Sequence, residues 1–112
     1  MNERLVPLQF HLNADAAADG VAGIYVKSAF LLTDIGSFVT IAGGSVTVAT
    51  IDVQDDGTDA VVAHSIATDG ITTLATQVRF EAGSAIELDL NLTGGTTPTV
   101  TGEITLWGYI SE

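Results

Sequence analysis

Between residues 5 and 12 the chain alternates: Val6, Leu8, Phe10 and Leu12 share one parity, and Pro7, Gln9 and His11 the other. Successive side chains of a strand point to opposite faces, so this pattern predicts a strand with one apolar face. Pro7 has no N–H to donate to a ladder, which puts that strand at a sheet edge. The polar, alanine-rich "NADAAADG" that follows reads as a loop ending in a turn at Asp19-Gly20, so residues 1–20 form an edge strand plus loop or an N-terminal arm. Short strands are then expected over 24–28, 30–33 and 37–41, with breaks at Asp34-Ile35-Gly36 and Gly43-Gly44. In "SVTVATIDVQ" the apolar parity changes, from Val46 and Val48 to Ile51 and Val53, which predicts a β-bulge near Ala49-Thr50.

Asp56-Gly57 lies between two apolar-rich runs, the signature of a two-residue hairpin, with 59–67 as the returning strand. Residues 70–82 predict a short lead-in and a strand at 77–81. The last two strands are the most regular. Ile86, Leu88, Leu90 and Leu92 alternate with Glu87, Asp89, Asn91 and Thr93, and Val100, Ile104, Leu106 and Ile110 carry the apolar face of 99–110. About eight short strands at turn spacings of 8–12 residues predict an all-β, single-domain antiparallel β-sandwich or jelly roll. Phe10, Phe30, Phe38 and Phe80 are the large members of its expected aliphatic core.

Composition narrows the chemistry. The 112 residues suffice for one core, and the absence of cysteine excludes disulfides, zinc–thiolate sites and thiol nucleophiles. Three Lys and Arg face fourteen Asp and Glu, a formal net charge of -11. Phosphate binding rests on several cationic contacts, so neither nucleic acid nor an anionic membrane is an expected partner. The opening twenty residues hold no basic region followed by a long apolar run, hence no secretory signal, and nothing approaches the ~18 apolar residues of a membrane helix. The sequon at Asn91-Leu92-Thr93 is then a chance match.

Candidate sites are few. Asp52, Asp55, Asp56 and Asp59, with Gly57 among them, resemble an oxygen-rich calcium loop, but the spacing departs from the EF-hand and a tight hairpin explains the same residues. No resident metal or cofactor is expected. His11 and His64 have no histidine or cysteine at short spacing, and no nucleophile, base or phosphate loop stands out, so no enzyme is expected. Glu87 and Asp89 read as solubilising charges, and the Gly-Gly pairs at 43–44 and 94–95 as turns. Trp107 and Tyr109 do stand out. They share the polar parity of Thr101, Glu103 and Thr105, so two large aromatics point to the face that should meet water. Either the strand is covered on both sides, or the aromatics serve an interface, where Trp and Tyr are enriched.

The order "LVPLQFHL", "ADGVAGIYVKSAF", "SVTVATIDVQDDGT", "AGSAIELDLNL" and "GEITLWGYI" resembles the small, cysteine-free β-sandwich proteins of tailed-bacteriophage virions, above all head decoration (cement) proteins. The resemblance implies a non-enzymatic virion protein that binds the outer capsid surface and stabilises the shell by bridging subunits. It would be assembled in the host cytoplasm, have the major capsid protein as partner, and often form a homotrimer. The expected interface residues are Trp107 and Tyr109, with Arg4 as an anchor and Val6 beside it. The alternatives are a phage tail or fibre module and a carbohydrate-binding, adhesin-like β-sandwich, calcium-assisted through the Asp52–Asp59 loop.

Overall fold

The computed structural model describes residues 3–15 and 18–111, and among these no helix forms. Eight strands follow in order: β1 (Glu3–Ala14), β2 (Ala18–Tyr25), β3 (Phe30–Ala42), β4 (Val46–Asp55), β5 (Thr58–Ser65), β6 (Gly70–Phe80), β7 (Ala85–Gly94) and β8 (Thr99–Ser111). They form two four-stranded antiparallel sheets, ordered β1-β8-β3-β6 and β2-β7-β4-β5. Only the β4–β5 hairpin stays within a sheet, and every other connection crosses to the opposite layer. This interleaving is the strand order of an eight-stranded jelly roll. The expected β-sandwich is the fold of the chain.

The core lies between the sheets and comes from the predicted parities. Phe10 and Leu12 of β1, Val100, Ile104 and Leu106 of β8, and Ile86, Leu88 and Leu90 of β7 are all buried. Each such side chain taken from water contributes ~1.5–3 kcal/mol. Phe30 and Phe80 pair across β3 and β6, their ring centroids 6.4 Å apart and their planes tilted by 38°. Gly108 of β8 makes room for this pair. A Cβ there would run into the Leu31 carbonyl oxygen and lie 2.6 Å from Phe30 Cζ. Pro7 sits on β1, at an edge, as its missing N–H requires.

Several boundaries differ from the sequence reading, each for a local reason. The turn expected at Asp19-Gly20 is a bulge within β2: the register against β7 shifts between Ala18 and Ala22, and Gly20 has φ 63°. Residues 16 and 17 of that connector lie outside the described residues, as do residues 1, 2 and 112. The break expected at Asp34-Ile35-Gly36 does not occur. β3 runs unbroken, and a bulge between Leu32 and Asp34 moves its inward parity from Phe30 and Leu32 to Ile35 and Ser37. One consequence corrects the core: Phe38 points out of the sandwich and is 74% exposed.

The parity change in β4 falls earlier than expected, between Val46 and Val48 in its pairing with β7. β6 is one strand from Gly70 rather than a lead-in, because residues 70–73 also pair with β3, and the register shifts by the extra residues 74–77 opposite the β3 bulge. The Asp56-Gly57 hairpin forms as expected. Asp55 pairs with Thr58, and both turn residues have positive φ, 50° and 87°.

Candidate functional site

β8 lies between β1 and β3, so its outward side chains sit in rows across the outer face of their sheet. Tyr109 stands between Leu5 and Leu31, Trp107 between Pro7 and Asp34, Thr105 between Gln9 and Gly36, and Glu103 between His11 and Phe38. Gly36 pairs in turn with Ile71 of β6. Leu5, Tyr109, Phe38 and Ile71 are between 41% and 74% exposed. The outer face of a sandwich normally meets water with polar side chains, whereas this one carries aromatic and aliphatic side chains on all four strands. No other element of the described chain lies over it.

A groove of about 420 Å³ opens in the middle of this face. Gly36 and Thr105 form its floor, Trp107, Phe38 and Ile71 stand around it, and Gln9, Glu103 and Asp69 supply polar groups. The floor is open because Gly36 has no side chain. A Cβ there would meet Ile71 Cγ1 and Thr105 Cβ at 3.7 Å, ordinary contact, so neither packing nor a positive φ demands a glycine at this position.

Hydrogen bonds tie the surroundings of the groove together. Asp69 Oδ1 accepts from the Val39 N–H at 3.0 Å, and the Ser37 hydroxyl donates to the Thr68 carbonyl at 3.2 Å, tying the segment before β6 to β3. Asp34 Oδ1 accepts from the Thr73 hydroxyl at 2.6 Å, and its Oδ2 lies 2.7 Å from the Thr33 hydroxyl. These two bonds, Thr73 first, hold the Asp34 carboxyl below its ordinary range. Thr33 also reaches the Trp107 carbonyl at 3.2 Å, so the β3 bulge and the aromatic strand brace each other.

The expected interface residues do not all meet. Trp107 and Tyr109 share the open face, but Val6 pairs with Gly108 and packs partly against the core, and Arg4 pairs with Ile110 on that same inward parity. Leu5 and Pro7, one residue away, are the β1 neighbours of the two aromatics. Leu5, Gly36, Phe38 and Ile71 escaped the sequence reading. Phe38 was legible, since Val39 and Ile41 mark the inward parity of that stretch and Phe38 has the other.

The acidic hairpin disperses its carboxylates. Asp52 accepts from the Ala63 N–H at 2.7 Å, Asp56 from the Ala85 N–H at 2.8 Å, and Asp59 from Gln54 at 2.8 Å, while Asp55 lies in the pairing with Thr58. Among the described residues no three histidine, aspartate or glutamate side chains converge on a point where a metal could sit. His11 bonds Glu103 at 3.0 Å on the open face, whereas His64 is half-buried on β5 in the other sheet. Asp89 corrects an expectation: it is buried, and its carboxylate accepts from the Gly20 N–H at 2.8 Å, closing the β2 bulge. Glu87 beside it is half-buried.

Fold and face together define an eight-stranded jelly-roll sandwich whose β1-β8-β3-β6 sheet carries aromatic side chains on its outer face, while Tyr25 stands exposed on β2 of the other sheet. No protein-family model, curated protein or solved structure matches the chain.

Proposed function

We propose that the protein is a non-catalytic docking module, and that it works through the outer face of the β1-β8-β3-β6 sheet. The observation that carries this reading is the set of outward apolar side chains on this face: Leu5, Tyr109, Phe38 and Ile71 exposed, and Trp107 half-buried among them. Contiguous exposed apolar surface rimmed by polar groups marks interaction sites in soluble proteins. Trp and Tyr carry a large share of the energy at such surfaces. Following the resemblance to phage head decoration proteins, the docking partner is a capsid surface built of the major capsid protein, with self-association into a trimer as the accompanying assembly. Jelly rolls recur in viral capsid proteins, which agrees with this by analogy of fold alone.

Two measurements test the proposal. Light scattering gives the solution mass of the wild type and of the Trp107→Ala, Tyr109→Ala double variant; a trimer that falls to a folded monomer places the face between copies. Gradient sedimentation of particles from the source organism then asks whether the protein travels with them. A wild-type monomer that stays at the top of the gradient overturns the virion reading.

A further inference from the structure

We propose that the groove floored by Gly36 is the anchor pocket of this docking face, and that it takes an arginine side chain from the partner protein. The inference rests on the docking reading and names the chemistry of its central contact. The walls are Trp107, Phe38 and Ile71, a lining suited to the flat, weakly hydrated guanidinium group, which stacks on aromatic faces. Two of the polar groups at the rim, Glu103 and Asp69, are negatively charged hydrogen-bond acceptors, and the third, Gln9, is neutral. Glu103 uses Oε1 for His11 and Asp69 uses Oδ1 for the Val39 N–H, which leaves the second oxygen of each carboxylate for a ligand. No lysine or arginine lines the groove. A planar fork of N–H donors fits two carboxylates better than the point charge of a lysine.

Charge complementarity also chooses the source of the arginine. Each copy of this chain has a net charge of -11, so for the acidic groove itself a cation-rich partner is favoured over a second copy, whatever surface holds a trimer together. Of its own cations, Arg79 is paired with Glu81 at 3.0 Å. A partner surface richer in arginine is drawn in and registered by the same groove. Anionic ligands are excluded by the two carboxylates.

Trp107 is the only tryptophan, so its fluorescence reports directly on the groove. The probes are acetyl-Gly-Arg-Gly-amide, the same tripeptide with citrulline (the neutral isostere of arginine), and the neutral disaccharide cellobiose. The arginine peptide is expected to change Trp107 emission with half-saturation in the millimolar range. The citrulline peptide should bind about tenfold more weakly, roughly what the loss of a charged hydrogen bond implies. The Glu103→Gln, Asp69→Asn variant keeps both structural acceptors and should lose the same factor. Gly36→Val fills the floor and should abolish the response while its thermal melt stays near that of the wild type. Raising the salt to 1 M should weaken the arginine response.

Equal binding of both peptides overturns the arginine inference and leaves the docking face standing. A response to cellobiose alone overturns both readings in favour of a saccharide site. Emission that depends on protein concentration and on no probe makes a second copy the occupant, against the inference and for the docking reading. Silence towards every probe, at all protein concentrations, overturns the arginine pocket.

Discussion

Two glycines of the same sheet have opposite duties. At Gly108 a methyl group would meet the Leu31 carbonyl and the Phe30 ring, backbone and packed core that have nowhere to go. Gly108→Ala is expected to destabilise the fold by ~1–3 kcal/mol or more, the cost of overpacking a filled interior. Gly36→Ala meets only ordinary contacts and should leave stability unchanged or raise it by about 0.4–1 kcal/mol, because alanine restricts the unfolded chain. Urea melts of the pair make the comparison, and equal losses would contradict the open floor. Two titrating side chains also act at this scale. Burial pushes the His64 imidazole below its ordinary 6.5, so the unfolded chain takes up a proton that the folded one resists. Stability from this residue is full above about pH 6.5 and is lost as pH falls from there to the folded-state value. Asp34, held low by Thr73 and Thr33, adds stability that is full above its ordinary 3.8 and lost as pH falls through the folded value. Melts between pH 7 and 3 should therefore show two declines, the first removed by His64→Gln and the second reduced by Thr73→Val.

At the scale of the element, bulges explain most of what the pattern of residues concealed. Alternation is read by counting in twos, and one inserted residue reverses every face beyond it. That is why β3, bulged at Thr33, looked like two strands with a break, whereas Phe38 was assigned to the core for its size against the parity of its own stretch. The regular strands β7 and β8 were legible almost to the residue, because nothing interrupts their alternation. The β4–β5 hairpin was legible through its Asp-Gly turn, yet β5 hides a second irregularity. Ala63 takes a left-handed φ of 53°, opposite Asp52, which receives its N–H. The side chain costs alanine ~1–2 kcal/mol in that conformation, whereas glycine costs about 0.5–1 kcal/mol in chain entropy. Ala63→Gly is thus expected to raise the unfolding free energy by up to about 1 kcal/mol. A loss on chemical denaturation would mean that the bulge is not strained.

For the whole molecule, the question is what covers the outer face of the β1-β8-β3-β6 sheet. Phe38 and Ile71 are 74% and 70% exposed, so replacing both by serine removes little of the core. The Phe38→Ser, Ile71→Ser variant is expected to melt within about 0.5 kcal/mol of the wild type, as surface substitutions do. On the docking proposal it should also travel as a monomer in light scattering and fail to sediment with the partner particle. A large loss of stability in a dilute monomer would show that these side chains support the fold itself.

The sequence by itself determined the class of fold, the paired hairpin, the apolar faces of β1, β7 and β8 and the outward direction of Trp107 and Tyr109. All of these follow from local rules: alternation along one strand, turn residues that tolerate positive φ, and a proline with no N–H. It also presented the carboxylates of 52–59 as one cluster, whereas the fold gives Asp52 and Asp56 different backbone partners and Asp59 the Gln54 side chain. Only the tertiary structure decided that β8 lies between β1 and β3, and this is what gathers the face. Leu5, Gly36, Phe38, Ile71 and Trp107 come from four strands, and the register of three ladders brings them together. Register between distant strands depends on how two sheets bury their faces against each other. No stretch of a single strand records that.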